Sequence, residues 1–289
     1  MINKGGVLLA GGTGSRLYPK TLIANKHLLP IYDKPMIYYS LSIMLLCDIR
    51  DITIVCNEKD LNQLQTLLGN GEEFGVEIDY STQDNPDGIP DAINTAIKSK
   101  TYKKFLTVLG DNFLYGREFF NTVKDSLDKE SNKSFFYQKV KNPENFGILK
   151  WENEKIIDIV EKPAEFVSND AVIGLYIFDS LFKEKFEKIN KSSRGEFEIV
   201  DIIKGYGVDK FNSEYIGRGT AWFDMGSNDD FFNCELFVKT IQDKQGLLVC
   251  SPHEIALRNG WVTKDDLVEK LKDYENSEYT KNLFKYLEV

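Results

Sequence analysis

An α/β fold with a doubly wound, mostly parallel, Rossmann-like sheet is the architecture this sequence predicts, and three observations lead to it. Short apolar, β-branched runs alternate with segments of helical spacing across residues 7–109. A parallel sheet covered by helices on both faces is the layer arrangement that buries such an alternation. Strand-like runs then crowd together across 134–179, which adds a β-rich flap inserted in the same domain. Only helical patterns follow residue 228, so a C-terminal helical region completes the chain.

The elements follow in order. Val7-Leu8-Leu9-Ala10 reads as a buried strand that ends in glycines. Residues 35–47 read as a helix, 52–55 as the next strand, 61–68 as a helix, and 76–80 as an alternating strand. A helix at 92–97 and a buried strand at 105–109 follow. In the flap, strands are expected at 135–137, 147–149, 156–160 and 172–178, and the tail includes helices at 230–240 and 264–274. This gives a core of 1–228, in halves of 1–112 and 113–228, and a helical region of 229–289. No internal repeat is visible, and no hexapeptide period that would announce a β-helical appendage.

Composition narrows the function classes. A length of 289 residues suits one large domain, or a core with a small appendage. A formal net charge of -9 argues against a general binder of nucleic acid or of membrane surfaces, which would need a basic face. Small anionic ligands stay open to it, provided that a local basic cluster exists. The four cysteines have no CxxC spacing and there are only two histidines, so a zinc site is not expected. Flanks such as Ile54-Val55-Cys56 mark reduced, buried thiols. The first residues run straight into a strand without an apolar leader, and no apolar run reaches the ~18 residues of a membrane span. A cytoplasmic protein is expected.

The strongest chemical signal is Leu9-Ala10-Gly11-Gly12-Thr13-Gly14-Ser15-Arg16-Leu17. Glycines after a buried strand let backbone N–H groups approach phosphate oxygens, and Arg16 adds a fixed fork of donors. The GK[ST] ending of a Walker A loop is missing, and GxGxxG is not matched. A bare glycine turn could be only a turn; the longer string, with Pro19 behind it, is more specific. Lys26 alone would pass for a solvated lysine, and Asp111, just past the 105–109 strand, for a turn or cap aspartate.

Taken together, these strings resemble the bacterial glucose-1-phosphate thymidylyltransferases and, more broadly, the sugar nucleotidylyltransferases. The resemblance covers essentially the whole chain. It runs through Asn25-Lys26-His27-Leu28-Leu29-Pro30, Tyr32-Asp33-Lys34-Pro35-Met36, Gln83 with Pro86-Asp87-Gly88, and Leu109-Gly110-Asp111-Asn112. Phe146-Gly147, Glu161-Lys162-Pro163, Gly174-Leu175-Tyr176, Arg194-Gly195-Glu196, Ala221-Trp222-Phe223-Asp224 and Arg258-Asn259-Gly260-Trp261 continue it.

The resemblance implies nucleotidylyl transfer from a nucleoside triphosphate, dTTP first, to a sugar 1-phosphate, glucose 1-phosphate first, for glycan biosynthesis. It implies that Arg16, Lys26 and Lys162 act catalytically, and that Leu9, Gly11, Gly12, Thr13, Gly14, Ser15, Arg16 itself, Gln83, Pro86, Gly88 and Asp111 hold the nucleotide. Ile89, Gly147, Glu161, Lys162, Val172, Tyr176 and Arg194 are implied to hold the sugar phosphate, making the flap sugar-binding. Asp111 and Asp224 are implied to ligate Mg²⁺, an ion that takes few carboxylates and fills its sphere with phosphate oxygens and water. Arg16, Lys26, Lys162 and Arg194 supply the local basic cluster that an acidic protein needs. The helical tail is implied to contribute subunit contacts, in a tetramer or dimer, and a regulatory nucleotide site.

The chain also departs from that pattern. The usual PDGLAQA run reads Pro86-Asp87-Gly88-Ile89-Pro90-Asp91-Ala92 here. His27 replaces a glutamine, Ile173 and Met225 each replace a threonine, and Asn228 replaces a histidine. Pro90 and Asp91 suit a first helical turn. If instead the changes line the pocket, a different or modified sugar, CTP or UTP becomes the expectation, since Asp91 pointing inward could accept from an exocyclic amine. A non-catalytic nucleotide-sugar sensor is the alternative of another class; loss of Arg16, Lys26 or Asp111 would have signalled it, and all three are present.

Overall fold

A computed structural model describes residues 3–83, 85, 87–129 and 133–285. The first half holds β1 (Lys4–Leu9), the short pair β2 (Pro30–Ile31) and β3 (Lys34–Pro35), α1 (Met36–Leu46), β4 (Asp51–Cys56), α2 (Leu61–Leu68), β5 (Glu77–Thr82), α3 (Ile89–Ala96) and β6 (Lys104–Leu109). Then come β7 (Phe113–Tyr115), α4 (Arg117–Asp128), β8 (Ser134–Lys139), β9 (Gly147–Glu152), β10 (Lys155–Glu161), β11 (Asp170–Asp179), α5 (Phe182–Phe186), α6 (Ile199–Tyr206), β12 (Asn212–Tyr215) and β13 (Ala221–Phe223). The tail is α7 (Asn228–Gln245), α8 (Pro252–Arg258), α9 (Lys264–Lys270) and α10 (Glu278–Lys285).

The main sheet runs β10-β9-β11-β6-β1-β4-β5, with β8 paired to β11 and β12 to β8. Its β6-β1-β4-β5 block is parallel, with Leu9 beside both Leu109 and Val55. β11 runs antiparallel to β6, so the flap continues the same sheet as a mixed extension. Both faces are covered, and strand alternation decides which side chain serves which. Leu8, Ile54, Leu106 and Val108 join the cluster under α1, α2 and α4; Val7, Val55, Phe105 and Phe178 join the one under α3 and α6. Each fully buried side chain of this size contributes about 1.5–3 kcal/mol.

A third cluster joins Leu17, Met36 and Phe113 to Phe231, Cys234 and Val238 of α7. The helical tail thus shares a core with the N-terminal half. Ser227 caps α7 by accepting from the Asp230 N–H at 3.2 Å, and Gly246 ends it at φ 67°. The 264–274 segment departs from one helix: it breaks after Lys270 and continues as a 3-10 turn at Lys272–Tyr274. All four cysteines are free and buried. Among the described residues no helix is long and apolar enough to cross a membrane.

Candidate active site

The chain leaves β1 toward β4 on one side and returns as β6 on the other, so the carboxyl ends of β1 and β6 flank the topological switch point, where ligands of such sheets sit. The glycine loop starts there. Gly12 and Gly14 have φ of 91° and 59°, and a Cβ on Gly14 would stand 2.8 Å from Thr21 Cγ2. Only glycine fits that position without strain. Arg16 follows on the 3-10 turn Ser15–Leu17 and enters no ion pair among the described residues. Lys26 opens the turn Lys26–Leu28, whose cap is Asn25. The buried Asn25 amide donates to Asp60 Oδ2 at 2.7 Å and to the Ala10 carbonyl at 3.2 Å, and its Oδ1 accepts from the His27 N–H at 2.9 Å. The Lys26 turn is therefore tied to the loop behind Arg16. Burial, reinforced by the Lys26 charge, lowers the His27 pKa to about 3 and keeps its ring neutral.

Asp111 stands just past β6. Its Oδ2 accepts from Lys26 Nζ, and its Oδ1 from Asn112 Nδ2 at 3.1 Å. Burial pushes its pKa upward, but the Lys26 charge and hydrogen bond outweigh it, so the net shift is downward. The antiparallel pairing of β13 with β7, Phe223 against Phe113, carries Asp224 to the same place from more than a hundred residues on. Trp222 Nε1 donates to Asn112 Oδ1 at 2.7 Å and completes the link between the two carboxylate segments. Asp224 is pushed up to about 6, first by burial, then by the charges of Asp230 and Asp111, with Arg16 opposing. A Cβ on Gly226 would lie 2.9 Å from Arg16 Nη2, so that glycine makes room for the guanidinium. Asp111 and Asp224 border the same cavity and offer a hard oxygen donor set that a Mg²⁺ ion would fit, with the rest of its sphere left to phosphate and water. Among the described residues no third His, Cys, Asp or Glu joins them.

On the other side, β9 and β10 pair Gly147 with Glu161. A Cβ on Gly147 would stand 3.2 Å from Glu161 Oε2, so glycine leaves the carboxylate free to face the cleft. Burial raises the Glu161 pKa, against Lys162 and Arg194. Lys162, at φ 43°, donates its N–H to the Phe146 carbonyl at 2.9 Å. Arg194 Nη1 lies 3.4 Å from Glu161 Oε1 and 3.5 Å from Glu198 Oε1. Val172, Gly174 and Tyr176 of β11 face the cleft together. Ile173 lies between them in sequence and points into the opposite core, fully buried. Its replacement of a threonine therefore does not re-cut the pocket, contrary to one reading of the sequence. Met225 is also buried, but borders the crevice of the glycine loop.

Three adjoining cavities share Arg16. One of about 380 Å³ is bordered by Leu9, Gly11, Gly12, Lys26, Gln83, Gly88 and Ile89; one of about 190 Å³ by Gly147, Glu161, Val172, Tyr176 and Asp224; and one of about 200 Å³ by Gly12, Thr13, Gly14 and Ser15. Asp111, Lys162, Arg194 and Ile89 border both of the first two. The expected residues thus meet in one cleft, apart from Pro86, which lies outside the described residues. Gly88 has φ 107°, and a Cβ there would fall 2.3 Å from the Phe197 carbonyl. Asp91 is in the first turn of α3, as its helical reading expects, and accepts from Gln83 Nε2 at 2.7 Å. Sequence reasoning gave no role to Asn112, Phe146, Trp222, Glu198 or Gly226, although the first three stand in the quoted strings.

A family model described as nucleotidyl transferase matches residues 5–241. The glucose-1-phosphate thymidylyltransferase of Neisseria gonorrhoeae is 40% identical over 276 residues, 95% of this chain and 96% of that protein. A solved Bacillus anthracis chain, assigned as a glucose-1-phosphate thymidylyltransferase and complexed with a sucrose, superposes with a TM-score of 0.72 at 35% identity, covering 81% of this chain and 94% of that one. A UDP-glucose pyrophosphorylase complexed with UDP-glucose also reaches 0.72, at 21% identity and with 83% and 99% coverage, a likeness of fold alone.

Proposed function

The chain belongs to the nucleotidyl transferase family, and from that premise we propose that it is a glucose-1-phosphate thymidylyltransferase, joining dTTP to α-D-glucose 1-phosphate and releasing pyrophosphate. The observation that carries this reading is the convergence, in one cleft, of four cationic side chains (Arg16, Lys26, Lys162, Arg194) with the two carboxylates Asp111 and Asp224. Such a constellation suits a reaction whose catalysis is positioning plus neutralisation of phosphate oxygens.

In this reading the triphosphate rests on the N–H groups of residues 11–15, and the base lies between Gln83 and Gly88. The glucose hydroxyls face Glu161 and Gly147, and Lys162 and Arg194 hold the sugar phosphate. That phosphate is thereby aimed so that one of its oxygens attacks the α-phosphorus in line. The bond from the α-phosphorus to the bridging oxygen breaks, and the pyrophosphate departs against Arg16 and Lys26. The residues in these roles include no histidine or cysteine nucleophile, so no covalent enzyme intermediate is expected. Asp111 and Asp224 would hold Mg²⁺, which when bound neutralises the phosphates on which charge develops.

The same reading includes a cytoplasmic homo-oligomer, with the helical tail in its subunit contacts and regulation. Pyrophosphate release, measured for dTTP, UTP and CTP with glucose 1-phosphate and with amino- and deoxy-sugar phosphates, tests the substrate pair. A pair exceeding dTTP plus glucose 1-phosphate tenfold in kcat/KM, about 1.4 kcal/mol in the transition state, overturns it. Absence of turnover with every pair would favour the sensor.

A further inference from the structure

The side chain of Gln83 is not free to turn. Its backbone N–H is anchored on the Cys56 carbonyl at 3.1 Å, where β5 leaves β4, and its Nε2 donates to Asp91 Oδ2 at 2.7 Å. Asp91 is held in turn by the first turn of α3, behind Gly88 and Pro90. It is half-buried and is not one of the residues that border the nucleotide cavity, whereas Gln83 is. An ionised carboxylate only accepts, so the end of the amide that meets Asp91 has to be the donor. Turning the amide over would set its carbonyl oxygen against a carboxylate oxygen, two acceptors at hydrogen-bond distance. The other end of the amide is then fixed as well: Gln83 Oε1 faces the glycine loop, 4.0 Å from where a Cβ on Gly11 would stand.

We propose that Asp91 is a positioning residue for base selection: it holds Gln83 with its carbonyl oxygen toward the nucleotide, so that the site favours a pyrimidine with an imide N–H over cytosine. This rests on the base-reading place proposed above for Gln83. Thymine and uracil present a ring N–H flanked by carbonyl oxygens, which suits the Oε1 acceptor and the second Nε2 proton. Cytosine presents a ring-nitrogen lone pair at that position, which meets Oε1 acceptor to acceptor. A run that departs from its relatives therefore sharpens base choice instead of opening the pocket to an exocyclic amine.

Equilibrium binding of dTTP, UTP and CTP to the full chain, by titration calorimetry with Mg²⁺ and no sugar phosphate, tests this. The wild-type protein is expected to bind dTTP and UTP at least tenfold more tightly than CTP. Asp91→Asn can receive either end of the Gln83 amide, and should narrow the dTTP-to-CTP ratio by about tenfold while leaving dTTP-to-UTP unchanged, a difference of about 1.4 kcal/mol. Asp91→Glu, which keeps an acceptor-only partner, should restore the ratio. Equal wild-type binding of CTP and dTTP overturns the proposal. So does an unchanged ratio in Asp91→Asn, or an equal loss for all three nucleotides, which is what a merely structural role would give. If dTTP is preferred and Asp91→Asn narrows the gap, yet no nucleotide sugar forms from glucose 1-phosphate, the substrate reading fails and this one stands.

Discussion

Gly226→Ala moves the Arg16 guanidinium without removing its charge. Gly226 has no positive φ, so an alanine can adopt its backbone, and its N–H still supports Asp224. The added Cβ would sit 2.9 Å from Arg16 Nη2, 3.2 Å from Cζ and 3.3 Å from Nη1. Ordinary contact begins near 3.4 Å, so the near edge of the guanidinium has to retreat by about 0.5 Å. Because it is the far end of a flexible side chain, it can retreat at little cost to folding. A reacting geometry is less forgiving, since a misplacement of about 1 Å can cost about 100-fold. We expect kcat to fall roughly tenfold, about 1.4 kcal/mol. Arg16→Ala, which deletes the charge, should lower it by about 100-fold or more. The assay is steady-state pyrophosphate release, beside thermal unfolding. Wild-type turnover in Gly226→Ala, or a loss matched by a drop in Tm, would refute the claim that Arg16 works through its position.

The carboxylates give the next tests. Asp111→Asn and Asp224→Asn should each remove most of the turnover while leaving thermal unfolding cooperative, because a neutral amide ligates Mg²⁺ poorly; activity that survives exhaustive chelation would contradict the metal assignment. At Gly174 a Cβ would stand 2.6 Å from both Asn112 Nδ2 and Leu109 Cγ, so Gly174→Ala should cost about 1–3 kcal/mol in denaturant unfolding and also displace Asn112 from Asp111. Unchanged stability would show that β11 yields there. Phe178, fully buried between Phe105 and Phe182, should cost about 3–5 kcal/mol when replaced by alanine, read as a lower urea midpoint.

What the sequence by itself determined is what one short stretch of chain can carry. The parallel block was legible in the β-branched runs at 7–10, 52–55 and 105–109, because a strand covered on both faces is apolar throughout. The glycine loop with Arg16 was legible as a string, whereas Lys26, Asp111 and Asp224 were singled out only through the resemblance that the longer strings carry. Elements that form by distant pairing were not: β7 and β13 have three residues each, too few for a periodicity, and exist through each other. Only the tertiary structure decided that Val172 faces the cleft while Ile173 faces the core. The same holds for Asp91, whose partner is the Gln83 amide, and for Gly226, which leaves space for a guanidinium more than two hundred residues earlier in the chain. The reason is physical. Residue types and local periodicity are written along the chain, but direction and distance between side chains far apart in sequence are set by strand register and by the packing of the layers, and both are properties of the folded whole.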